Sequence, residues 1–182
     1  MSNYRRSKEG QTYFFTVVTY QRQPFMCTDK SIMTLKSVIR EVNLLKPFEI
    51  DAWVIMPDHL HCIWTLPEGD NDYSIRWGLI KSGFTKSVGK ELVGDAHPTV
   101  SRLKHRERAV WQRRFWEHQI RSDKDYEVHC NYIHYNPVKH GLAGSPKEWP
   151  YSTFHRYVSK GFYHDDWGSS EPLEFAKNIG GE

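Results

Sequence analysis

Thr12–Tyr20 reads TYFFTVVTY, a run of β-branched and aromatic residues that predicts a buried strand. From Asp29 the period changes. Ile32, Leu35, Val38, Ile39, Val42 and Leu45 recur at steps of three and four, the stripe of an amphipathic helix that Pro47 stops. Phe48–Met56 and Leu60–Leu66 are two further strand-like runs, and Pro57 and Asp58 between them suit a tight reversal, so together they predict a hairpin. Helical spacing returns from Ser74 to about Val88 through Ile75, Leu79, Ile80 and Phe84, with Ser74 as N-cap. Gly89–His105 is polar and holds Gly94 and Pro98, the composition of a loop. Ser122 followed by Asp125 resembles a helix start, and Asp123–Tyr135 runs as a helix that Pro137 ends. Beyond Ser145 the periodicity fades into an irregular tail with one short helix near Pro150–Ser159.

Strand, helix, strand, strand, helix and a further helix predict an α+β fold, a ferredoxin-like antiparallel sheet covered by helices on one face. With 182 residues, the chain supplies one good core and not two, so a single domain over 1–182 is expected, its tail irregular from about 145. A hydrophobic share of 38% beside 26% charged residues, with mean hydropathy of -0.69, fits a soluble globular protein. No apolar run reaches the roughly 18 residues a membrane span needs, and MSNYRRSKEGQ is no signal peptide, so a cytoplasmic protein is expected. Cys27, Cys62 and Cys130 form no CxxC pair and read as reduced thiols. The net charge of +3 says little, but its distribution says more. Arg102–Arg121 carries seven bases against two acids, interleaved with Trp111, Phe115 and Trp116, a track for phosphates with surfaces for stacking.

Candidate chemistry begins at His59-Leu60-His61. On a strand, residues two apart share a face about 6.5–7 Å apart at Cα, so both imidazoles reach one metal ion, while Leu60, Cys62, Trp64 and Leu66 face the core. The same spacing equally describes two half-exposed histidines. Two imidazoles do not complete a coordination sphere, and the helix ending at Pro137 is the place to look for the rest. There Tyr132 and Asn136 stand four apart on one face, with His129 a turn earlier. A phenol with an ordinary pKa near ~10 needs a polarised target or a base to attack at neutral pH. Tyr126, Tyr132 and Tyr135 are equally compatible with aromatics packed on the sheet.

The runs MPDHLHCIWTLPEGD, WQRRFWEHQIRSDKDY, NYIHYNPVKHGL and WPYSTFHRY occur in that order, and with them nearly the whole chain resembles the REP-associated tyrosine transposases. These are a branch of the HUH single-tyrosine (Y1) transposase superfamily. The resemblance implies that His59, His61 and Asn136 hold Mg²⁺ or Mn²⁺ and that Tyr132 is the nucleophile, Tyr135 lying off the Tyr132/Asn136 face. It implies cleavage and rejoining of single-stranded DNA through a 5′-phosphotyrosine, without a nucleotide cofactor, in keeping with the lack of a GxxxxGK[ST] loop. The DNA expected is the REP element, a palindrome folded as a hairpin beside a tetranucleotide. Tyr4, Arg5 and Arg6 in the N-terminal arm, Arg113, Arg114, Phe115 and Trp116, and Lys139 and His140 after the tyrosine helix are the expected DNA contacts. A monomer is expected, and two imidazoles favour Mn²⁺ over Mg²⁺ in binding strength.

Asp58, Glu117, His118 and His129 are candidates for the base that takes the tyrosine proton. Three other readings keep the fold and change the function, one of them a structural or protein-interaction domain with only the aromatic-rich tail in its favour. A non-catalytic hairpin-binding module needs no chemistry, and a metal-dependent hydrolase built on Asp58 and the histidine pair would cut without a covalent intermediate.

Overall fold

In the computed structural model, which describes residues 11–93, 109–170, 172–176 and 179–181, β1 (Gln11–Val18) pairs antiparallel with two neighbours. On one side lies β3 (His59–Leu66), which hairpins with β2 (Glu49–Ile55); on the other lies β4 (Trp116–Gln119). The sheet order is β2-β3-β1-β4, and α1 (Asp29–Leu45) and α2 (Tyr73–Val93) form the two crossovers, the ferredoxin-like arrangement expected. Met56 N–H donates to His59 O at 2.8 Å, closing the β2–β3 turn over Pro57 and Asp58 as their residue types require. The N-terminal arm with Tyr4, Arg5 and Arg6, the bases at 102, 104, 106 and 108, and the expected loop beyond 93 lie outside the described residues.

The helices cover both faces of the sheet, not one. Every position of β3 is buried: Leu60, Cys62, Trp64 and Leu66 join Tyr13, Phe15 and Val17 against α1 and α2, where Trp64 stacks on Trp77 with centroids 4.2 Å apart. Phe14, Val54 and Ile63 face the opposite way and are covered by α3 (Asp123–Lys139) through Tyr126, Cys130 and Ile133. A sheet with apolar residues on both faces needs two covers, and a strand read for one face alone hides the second.

Three boundaries differ from expectation. β4 lies within the basic track and shows no strand pattern in the sequence, because four residues of alternating half-burial are too short and polar. α2 runs five residues past Val88 to Val93. α3 continues through Pro137 to Lys139: the proline gives up its own bond to Ile133 O, but its fixed φ is helical and the chain carries on for two more residues. His140 N–H donates to Asn136 O at 3.0 Å and Leu142 N–H to Pro137 O at 2.9 Å, which close the extra turn.

The tail is irregular apart from a 3-10 turn at Pro146–Glu148 and α4 (Phe154–Ser159). It is tied to α3 through His134, whose Nδ1 lies 3.0 Å from Tyr163 Oη and whose Nε2 lies 2.8 Å from Thr153 Oγ1. Burial, with the charge of Arg156, pushes His134 down to about 3. The unfolded chain therefore takes up this proton first, starting near the ordinary pKa of about 6.5. Stability should fall by about 1.4 kcal/mol per pH unit from there toward pH 3. Denaturant melts from pH 7 to pH 4 should show this slope in the wild type and a shallower one in His134→Gln.

Candidate active site

β3 delivers His59 and His61 to the face beneath α3, where their rings stand 4.9 Å apart. Hydrogen bonds settle which nitrogen each offers. Thr16 Oγ1 donates to Gly180 O at 2.6 Å, so its oxygen is left to accept from His61 Nδ1 at 2.8 Å. The His61 proton then sits on Nδ1 and the lone pair on Nε2. His59 Nδ1 lies 2.6 Å from Asp58 Oδ1, and Arg22 holds the other carboxylate oxygen at 3.0 Å. Burial pushes the Asp58 carboxyl up, but the hydrogen bonds and charges of His59 and Arg22 outweigh it and hold it at about 2. An ionised carboxylate only accepts, so His59 likewise keeps its proton on Nδ1 and its lone pair on Nε2.

α3 brings the remaining groups to the same place. The Tyr132 ring lies 5.2 Å from His61, and the His140 ring, two turns on, lies 5.4 Å from His59. Asn136 falls between them on that helix face, fully buried, and neither its Oδ1 nor its Nδ2 has a hydrogen-bond partner among the described residues. A buried amide left without partners costs about 1–3 kcal/mol, which a ligand to its oxygen would offset. Two imidazole Nε2 atoms and an amide oxygen thus fit a divalent cation. Lys139 Nζ donates to Tyr132 Oη at 3.0 Å, which places a cation beside the phenol oxygen.

The family model described as Transposase IS200 like matches residues 7–136, a span that contains both histidines, Tyr132 and Asn136. A REP-associated tyrosine transposase of Escherichia coli (strain K12) is 48% identical over 168 residues, 92% of this chain and 91% of that one. The chain belongs to the IS200-like family, among the REP-associated tyrosine transposases. A Haemophilus influenzae relative described in the same terms is 44% identical over 180 residues, 98% of this chain and 100% of that one. A solved structure of a REP-associated tyrosine transposase bound to a REP hairpin superposes with a TM-score of 0.75 at 44% identity, covering 97% of this chain and 96% of that one. No helix among the described residues is long and apolar enough to cross a membrane.

In this transposase the tail lies across the site. His59, His61, Tyr132 and Asn136 are each at most 1% exposed. Phe175 sits edge-on to Tyr132 at 5.4 Å, and Leu173, Ala176 and Ile179 line a small cavity with Tyr132 and Lys139. Gly180 passes so close that a Cβ there would come within 2.1 Å of Tyr132 Oη, and one at Gly181, where φ is +63°, within 2.4 Å of the Trp116 ring. Only residues without side chains fit this path.

The other expected residues are distributed around this centre. Arg113 and Arg114 are exposed, beside a turn that Lys81 fixes by donating to Gln112 O at 2.9 Å. Phe115 is not with them as a stacking surface. Its ring turns to the α2 side, 5.8 Å from Phe15 and 6.0 Å from Trp77, because adjacent strand residues face opposite ways. Trp116 takes the face of His59 and His61, 5.7 Å from Phe14. Tyr135 packs on Trp167 and Phe175, away from the histidines. Of the candidate bases, Asp58 is engaged with His59, while His118 and His129 are both held by Asp125. These last three form a separate His-Asp-His group with ligand atoms all within 4.8 Å of one another. Sequence reasoning missed Thr16, Arg22 and the glycine pair, none of which stands in a recognisable spacing.

Proposed function

We propose that this chain cuts and rejoins single-stranded DNA at REP hairpins through a covalent bond to Tyr132. The observation that carries the reading is the α3 face itself: Tyr132 beside His61, His140 beside His59, and buried Asn136 between them. His59 Nε2, His61 Nε2 and Asn136 Oδ1 would hold Mg²⁺ or Mn²⁺, the second more tightly because imidazole is a softer ligand than oxygen. Bound there, the ion would draw charge from a non-bridging phosphate oxygen and make the phosphorus more open to attack.

The protein's own residues supply the remainder. Lys139 steadies negative charge on the Tyr132 oxygen as it loses its proton. The phenol oxygen forms a bond to phosphorus, the bond to the 3′ oxygen breaks, and that oxygen leaves as a hydroxyl after taking up a proton. The new phosphotyrosine keeps the phosphodiester's energy, so a later attack by a 3′-hydroxyl restores DNA and the free tyrosine. Arg113, Arg114, Trp116, Lys139 and His140 line the approach for the hairpin and the strand to be cut; Tyr4, Arg5 and Arg6 extend it, and the protein works as a monomer in the cytoplasm. The solved relative bound to a REP hairpin supports this choice of DNA.

Incubation with 3′-labelled single-stranded REP hairpin and Mn²⁺, then a denaturing protein gel, tests the proposal. A labelled band at the mass of protein plus DNA fragment is expected. Cleavage without that band would favour the hydrolase, and binding without cleavage the hairpin-binding module. Asp58→Asn, which deprives His59 of its orienting carboxylate, should weaken the Mn²⁺ dependence of cleavage about 10–100-fold. The Mn²⁺ concentration giving half-maximal cleavage reads this directly, with hairpin affinity unchanged.

A further inference from the structure

The structure assigns a second divalent-metal site to this chain, a His-Asp-His set formed by His118, Asp125 and His129 that suits Zn²⁺. His118 Nε2 lies 3.0 and 2.9 Å from the two Asp125 carboxylate oxygens, and His129 Nδ1 lies 3.1 Å from Oδ1. Zinc bonds of about 2.0–2.2 Å place neighbouring donors roughly 3–3.6 Å apart, so an ion can be accommodated with little movement of the backbone. The two imidazole planes are within 13° of parallel, with centroids 4.6 Å apart.

The donors come from firmly placed elements. His118 lies on β4 opposite Phe14, in register with the sheet. Asp125 stands in the first turn of α3, where Ser122 Oγ accepts its N–H at 3.1 Å and its own carboxylate accepts Arg121 N–H at 2.9 Å. His129 follows four residues later on the same helix face, with Nδ1 also 2.8 Å from Asp125 O. That carbonyl stays within the helix when the ring proton leaves. Side-chain exposures of 34% for His118, 22% for Asp125 and 7% for His129 put one edge of the cluster in water, which can complete the coordination sphere. Without an ion, His118 Nε2 is bonded to the Asp125 carboxylate and His129 Nδ1 to the Asp125 carbonyl; with Zn²⁺ bound, each neutral ring would offer that nitrogen's lone pair and carry its proton on the other nitrogen. A two-imidazole, one-carboxylate set prefers Zn²⁺ to Mg²⁺.

This site is separate from the pair beneath Tyr132. The Phe14 ring lies between them, 4.8 Å from His129 on one side and 5.5 Å from His61 on the other. An ion here would cross-link β4 to the start of the helix that carries Tyr132, and so stabilise the fold whatever role Tyr132 has.

The test counts Zn²⁺ bound by the full chain in equilibrium dialysis and follows the unfolding midpoint with and without Zn²⁺. The wild type is expected to hold one ion more per chain than His118→Ala and than Asp125→Asn, and to gain more in midpoint from zinc than either. The asparagine keeps the size of the side chain and its helix-start bonds, so a loss seen in both variants with folding intact by circular dichroism assigns the site. His59→Ala combined with His61→Ala should retain this ion. Equal zinc counts in the wild type and both single variants overturn the proposal.

Discussion

Tyr132→Phe should abolish the covalent protein–DNA band and lower cleavage about a thousandfold or more, while hairpin affinity stays within about twofold of wild type. The substitution removes one oxygen and keeps the ring that packs on Phe14 and Phe175, so the fold is preserved. It also removes the hydrogen-bond partner of Lys139, which is exposed and can turn to water. Gel shift measures binding and the denaturing gel measures chemistry, so the two readouts separate loss of the nucleophile from loss of structure. Tyr135→Phe serves as the comparison and should cleave at the wild-type rate, since Tyr135 faces Trp167 and not the histidines. Undiminished cleavage in Tyr132→Phe would remove the tyrosine mechanism altogether.

Ending the chain at Pro172 should raise the cleavage rate about tenfold or more, the gain expected when a site open only about a tenth of the time becomes open always. The cut matters. Stopping at Gly161 would also remove Tyr163, which bonds to His134 and Asn131, and Trp167, which packs on it at 4.3 Å, so lost packing would mask any gain. Ending at Pro172 keeps both and removes Phe175, Ile179 and Gly180 from around Tyr132. Gly180→Val is the independent check, because a side chain there collides with the tyrosine and should lift the tail in a chain of full length. Cleavage by the shortened chain at or below the wild-type rate would show that the tail does not limit access.

Much of this was legible in the order of residues because a strand and an amphipathic helix write their periods directly into the chain. β1, α1 and the β2–β3 hairpin are long apolar runs with clear breakers, and His59 and His61 share a face by arithmetic alone. β4 and the second covered face were not legible, since both depend on partners distant in sequence. His118 pairs with Phe14 across the sheet, more than a hundred residues away. Pro137 marks no helix end here, because bonds made beyond it, His140 N–H to Asn136 O and Leu142 N–H to Pro137 O, hold the last turn. The resemblance to known transposases supplied roles for Tyr132 and Asn136 that spacing alone left open. It did not supply the tail, whose fit to the site rests on two glycines with no side chain to read.

That tail is tethered to the site it covers, and the tether sets how the enzyme responds to its surroundings. A segment on the same chain acts at a fixed effective concentration, typically of millimolar order, whatever the amount of protein present. Dilution will therefore not switch the enzyme on, and specific activity should not change with protein concentration. DNA entering the site would compete with the strap. A strand held by the hairpin contacts is itself tethered and gains the same advantage, whereas a free strand lacking the hairpin does not. Occlusion of this kind would act as a discriminator, setting a threshold that anchored substrate crosses and casual single-stranded DNA does not.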